Sequence, residues 1–139
     1  MDRRFYLKSA LGAATVAGLA AVSKGKAQAQ TPSARPIVLY CDLEVDPARE
    51  QEMLDHFHKK FKPAGAKFKG FIDVKMLKLR SQIQGYKLPP HVNYRFQLTY
   101  ESEELRQIWI ASKTHADLWP GIENTLTNKD FQVVLFDIV

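Results

Sequence analysis

The sequence has one cysteine in 139 residues, Cys41, so no intramolecular disulfide can form whatever the redox compartment. Cys41 alternates with Leu39, Leu43 and Val45, which predicts a buried, inert thiol rather than a nucleophile. The chain also lacks a long apolar run. Ala10–Val22 is shorter than the ~20 residues of a membrane helix, so no stable membrane anchor is expected. No Cys/His cluster, glycine-rich phosphate loop or nucleophile elbow is present. Metal, nucleotide and serine-hydrolase chemistry are therefore without a basis. His56 and His58, two apart on a helix, point in different directions and make no metal pair, and His91 is isolated beside Pro90.

A real charge surplus is missing too. The formal charge is +5, but Met1–Ala29 holds five basic residues against Asp2, which leaves only +1 for the remainder. A nucleic-acid role thereby loses its main support. One asymmetry survives. Lys59–Lys87 carries nine basic residues against Asp73 alone, read either as a solvated face or as a landing patch for an anionic ligand or membrane surface.

The N-terminal residues read as a targeting segment. Asp2-Arg3-Arg4-Phe5-Tyr6-Leu7-Lys8 resembles the twin-arginine export motif, with Asp2 in place of the usual Ser or Thr and Tyr6 in place of the usual Phe. The apolar run follows, then Ala27-Gln28-Ala29 as an A-x-A cleavage pattern with no adjoining cysteine for a lipid anchor. Residues 1–29 are thus expected to be a signal peptide for the twin-arginine export machinery, delivering a periplasmic or secreted protein. Residues 30–35 form a linker, and residues 36–139 form one domain with a modest core.

Within that domain the hydrophobic period alternates between two and 3.6. Ile37–Val45 reads as a strand, and Asp46-Pro47 starts a helix that runs to about Lys62, with Met53, Leu54, Phe57 and Phe61 as its stripe. Pro63, Gly65 and Gly70 end it. Phe71–Arg80 is a second strand, with Ile72, Val74 and Met76 set against Phe71, Asp73 and Lys75, and Gln82–Pro90 is a loop. Val92, Tyr94, Phe96, Leu98 and Tyr100 form one face of a third strand, and Asn93, Arg95, Gln97 and Thr99 the other. Ser102 caps a helix bearing Leu105, Ile108 and Trp109. Thr114-His115-Ala116-Asp117 looks like a further capping box, Pro120-Gly121 interrupts that helix, and Phe131–Val139 is the last strand. The order β-α-β-β-α-β is the ferredoxin-like α+β arrangement, an antiparallel sheet with helices on one face. Its bare face, partly apolar, predicts cover by a second copy.

Three stretches together point further: Glu44-Val45-Asp46-Pro47-Ala48, Leu98-Thr99-Tyr100-Glu101-Ser102, and Glu104-Leu105 leading to Trp109-Ile110-Ala111-Ser112-Lys113-Thr114-His115. With them, Pro36–Val139 resembles an antibiotic-biosynthesis-monooxygenase domain, which implies a homodimeric α/β barrel of ferredoxin-like subunits. The Gln82–Pro90 loop is longer than the family's hairpin. Members oxidise aromatic or quinol-like substrates with oxygen and no cofactor, degrade haem, or have no known activity, so the resemblance leaves the reaction open. The haem-degrading branch has an Asn in strand one, a Trp in the second helix and a ligating His about ten residues later. Here Trp109 matches, but Asp42 replaces the Asn and Trp119 stands where the His belongs. Haem breakdown by that mechanism is not expected.

The resemblance implies a small aromatic or quinol substrate. The lack of a charged catalytic pair that must be functional keeps open a non-catalytic binding protein for a hydrophobic or haem-like ligand, and a plain dimeric structural or stress protein with no ligand is the third reading. His115 reads as a general base, or as a helix-capping or surface histidine. Trp109 and Trp119 read as walls for a flat ring, or as core. Arg95 and Asn93 on the polar sheet face are candidates to polarise a substrate oxygen, though Arg95 could equally pair with Asp42, Glu44 or Asp73. Tyr40 and Asp42 on strand one complete the candidate substrate-binding set.

Overall fold

The computed structural model describes residues 35–139; the predicted signal segment and nearly all of the predicted linker lie outside the described residues. Strand β1 (Ile37–Leu43) follows the predicted alternation, its odd-numbered residues buried and its even-numbered ones half-buried. Asp46 caps the first helical turn, Pro47–Arg49, by accepting from Ala48 N at 2.9 Å. Helix α1 (Glu50–His56) continues through a π-helical stretch, Phe57–Phe61, into α2 (Lys62–Gly65). This helix outruns the predicted end. Pro63 belongs in it because the preceding turn is widened, Lys62 N donating to the Phe57 carbonyl five residues back. A widened turn gives the proline ring room from the carbonyl it would otherwise meet.

Strand β2 (Phe71–Lys78) contains a register shift between Phe71 and Asp73. The shift places Phe71 opposite Tyr100 on the helix side, with Val74 opposite Leu98 and Met76 opposite Phe96, and leaves Ile72 exposed. The predicted grouping of Ile72 with Val74 and Met76 is corrected by that bulge. Strand β3 (Tyr94–Tyr100) leads through Ser102, whose Oγ accepts from Leu105 N, into α3 (Glu103–Ala111). Ile108 lies on the exposed side of α3, off the expected stripe. Helices α4 (Lys113–Leu118) and α5 (Pro120–Glu123) precede β4 (Gln132–Asp137).

The sheet runs in the order β2-β3-β1-β4, antiparallel at each junction, which is the ferredoxin-like topology expected from the sequence. One face carries the core against the helices: Ile37, Leu39, Leu43, Phe96, Leu98 and Tyr100 from the strands meet Met53, Phe57, Phe61 and Trp109. Every described strand, helix and core residue lies within Arg35–Val139, so a chain beginning at Gln30 carries the whole described fold. The opposite face presents Val38, Tyr40, Val134 and Phe136 beside Arg95, Gln97 and Thr99.

Candidate functional site

The site is organised by a serine that serves two helices. Ser112 sits in extended backbone (φ −76°, ψ 152°) between α3 and α4. Its Oγ donates to the Trp109 carbonyl at 2.7 Å and accepts from His115 N at 3.1 Å. The N-cap of α4 is therefore Ser112 rather than Thr114, two residues before the predicted start, because the hydroxyl reaches the amide three residues on. The spacing Trp109–Ser112–His115 thus fixes the tryptophan at the end of one helix and the histidine in the first turn of the next.

Between these helices and the sheet lies a cavity of about 200 Å³ lined by Leu39, Cys41, Phe96, Arg106, Trp109, His115 and Trp119, with Phe131 and Val133 among the rest of its wall. The His115 ring lies parallel to Trp119 at 6.1 Å (7° between planes) and edge-on to Trp109 at 5.2 Å. Phe96 meets Trp119 edge-on at 5.6 Å. Such a wall offers ring faces and ring edges to a planar aromatic guest. An apolar cavity of about 150 Å³ takes up benzene, so this one is sized for a single substituted ring.

Burial, and to a lesser degree the nearby Arg106 cation, hold the His115 imidazole below its ordinary value of 6.5. The ring is neutral at neutral pH, and among the described residues no hydrogen bond ties up either nitrogen. As pH falls through 6.5 the unfolded chain takes a proton that the folded histidine refuses, so stability declines on acidification until the folded value is reached. Urea unfolding between neutral and mildly acidic pH is expected to show this loss in the wild type and not in His115→Gln. A parallel decline in both would remove the buried imidazole as its source.

Arg106 is the residue that sequence reading missed. Its guanidinium forms a two-point pair with Glu103, Nε to Oε1 and Nη2 to Oε2, both 2.7 Å, while it also lines the cavity. The pair holds Glu103 below the usual carboxylate range. Three residues separate the partners on α3, a spacing available in the sequence, but which way the pair leaned was not. Cys41 lines the cavity as a buried thiol, pushed up to about 12 by desolvation and then by Asp42, in keeping with the inert reading.

The other candidates lie elsewhere. Arg95 and Asp42 stand opposite each other on the far face of the sheet and pair through Nε–Oδ1 at 2.7 Å and Nη2–Oδ2 at 3.2 Å. Arg95 also lies over the Tyr40 ring at 5.2 Å, and Tyr40 meets Phe136 edge-on at 5.7 Å. The even-numbered residues of β1 point away from the helices, so neither Tyr40 nor Asp42 can reach the cavity that His115 lines. Asn93 stands outside β3 and closes on the backbone of Val45, accepting from its N–H and donating to its carbonyl, both at 2.8 Å. That amide is spent on holding the chain and cannot polarise a substrate in the cavity. His56 bonds the Leu118 carbonyl at 2.7 Å and His58 is exposed, so they diverge as expected. Among the described residues no group of three metal-ligating side chains converges, and no helix is long and apolar enough to cross a membrane.

No family model matches the sequence, and no curated protein matches it. Solved structures do match the fold. A putative antibiotic biosynthesis monooxygenase from Caulobacter crescentus superposes with a TM-score of 0.61 at 15% identity, over 82% of this chain and 99% of that one. A dimeric ferredoxin-like protein of unknown function from Jannaschia gives 0.59 at 11% identity, over 75% and 98%. SnoaB, a cofactor-independent oxygenase from Streptomyces nogalater, gives 0.51 at 14% identity, over 75% and 91%. The chain has the ferredoxin-like α+β fold that these proteins share.

Proposed function

We propose that the protein is an exported, homodimeric, cofactor-independent monooxygenase acting on a small phenol or quinol in the cavity between sheet and helices. The observation that carries the reading is an imidazole, His115, with no hydrogen bond to either ring nitrogen among the described residues, in the wall of an aromatic cavity of about 200 Å³ beside Trp109 and Trp119. In the proposed step His115 takes the hydroxyl proton of the substrate, and the Arg106 cation offsets the oxyanion left behind. The phenolate's electron pair reduces molecular oxygen at a ring carbon, where a C–O bond forms, and the peroxide takes back the proton. Loss of the hydrogen on that carbon then breaks the O–O bond, leaving a quinone carbonyl and one water. Oxygen uptake by the purified chain from Gln30 against a panel of phenols and hydroquinones tests the reading. Protein-dependent uptake supports it. Saturable binding without uptake on any substrate would make the cavity that of a binding protein.

Export is supported by Arg3-Arg4 and the Ala27-Gln28-Ala29 pattern, and places the reaction in the periplasm or outside the cell. Dimerisation is supported by the apolar sheet face around Tyr40, Val134 and Phe136, the last 55% exposed. A second copy covering this face would desolvate it. Phe136→Asp is therefore expected to convert a dimer to a monomer in sedimentation velocity while the melting curve of the subunit persists. A wild type that sediments as a monomer would remove the dimer from the proposal.

A further inference from the structure

The loop joining β2 to β3, residues 79–93, stands apart from the cavity and is built rather than slack. Gln82 turns its own side chain into it. The amide Nε2 lies 3.2, 3.0 and 2.5 Å from the carbonyl oxygens of Gln84, Gly85 and Tyr86, and Oε1 accepts from Leu88 N at 3.1 Å. Gly85 supplies a φ of +101°, with open space where a Cβ would stand. At the base, Leu79 N donates to Asn93 O at 2.8 Å and Val92 N to Pro89 O at 3.1 Å.

A loop held in this way fixes what it exposes. Ile83 is 91% and Tyr86 100% exposed, against the ordinary tendency of such side chains to find cover. From Val74 to Tyr100 the sequence has five basic residues and no acidic one. Two of the five are matched by carboxylates from other elements, Lys78 by Glu50 and Arg95 by Asp42, and Lys75 pairs with Asp73. Arg80 and Lys87, on either side of the tip, make no ion pair among the described residues. An aliphatic side chain and a tyrosine projecting between unpaired cations match the layers of an anionic bilayer surface. Isoleucine suits the acyl boundary, tyrosine the headgroup level, and the cations the phosphates.

We propose that the β2–β3 loop docks this protein on an anionic phospholipid bilayer, with Ile83 and Tyr86 entering the interface and Arg80 and Lys87 contacting headgroup phosphates. Charge favours this occupant over the same loop of a second copy, because two such loops repel each other. The test is co-sedimentation of the chain from Gln30 with vesicles of phosphatidylcholine and phosphatidylglycerol at about 2:1, with pure phosphatidylcholine vesicles as control. The wild type is expected to pellet with the mixed vesicles alone and to be released by high salt. Arg80→Gln/Lys87→Gln is expected to bind about 25-fold more weakly, about fivefold per cation. Ile83→Ser/Tyr86→Ser should lose binding with its melting curve unchanged, since both side chains stand in solvent. Binding that ignores lipid charge, or equals wild type in both variants, overturns the proposal. So does a tip variant that turns dimer into monomer while binding vesicles normally, which would assign the loop to contact between copies.

Discussion

His115→Ala is expected to lower the rate of oxygen uptake on a phenolic substrate by about 10²–10⁴-fold, the usual worth of a positioned general base. The same change should leave binding of the ring nearly intact, as read from quenching of Trp109 and Trp119 fluorescence. The separation follows from the geometry. Trp119 and Phe96 present their ring surfaces to the cavity whether or not the imidazole is present, and the truncation opens space rather than closing it. A variant that loses binding and uptake together would make the stacked histidine a wall residue. A variant that loses neither would place the base elsewhere. Because the imidazole is held below 6.5, the wild-type rate should stay flat from neutral pH down past that value before its acid limb begins.

Trp109→Ala is expected to be the most destabilising of the cavity substitutions, by about 3–5 kcal/mol. Trp109 is 1% exposed, with Phe68 at 4.8 Å, His115 at 5.2 Å and Phe61 at 5.6 Å between ring centres. Against a stability of about 5–15 kcal/mol for a domain of this size, that loss brings the fold near its limit. Thermal melting followed by circular dichroism should show a midpoint lowered by roughly 15 °C or more. Trp119 is only partly buried, packed at the margin of the core, and Trp119→Ala should cost much less stability while weakening ring binding. Equal costs for the two would contradict this division between core and wall.

The alternation of β1 and β3 and the caps at Asp46 and Ser102 were legible in the sequence because they rest on short-range chemistry. A period of two and a side chain bonding an amide two or three residues on need no tertiary context. The tertiary departures were not legible in the same way. The bulge at Phe71/Asp73 reverses a grouping that alternation alone would dictate, and it answers to the pairing with Tyr100 and Thr99 across the strand. The helix persists through Pro63 because of a widened turn that no local propensity announces. At the site, His115, Trp109 and Trp119 were readable as a cluster from their closeness in sequence, on α3, on α4 and at the junction of α4 with α5. Arg95, Tyr40 and Asp42 do not line the cavity that His115 lines, for one reason: they occupy the opposite face of the sheet from the helices. Strand parity held that information, since the polar face of a strand and the helix-covered face point in opposite directions. Arg106 went unnoticed because an arginine three residues from a glutamate reads as a solvated helix pair. Its role as a cavity cation depends on the rotation of α3 about its axis.

The most direct measurement is the fate of oxygen atoms. Turnover of a phenolic substrate by the purified chain under ¹⁸O₂ should give a quinone carrying one labelled oxygen, with oxygen consumed and quinone formed in equal amounts. Unlabelled quinone would contradict direct attack of oxygen on a substrate anion in this cavity, and so would the absence of any protein-dependent product.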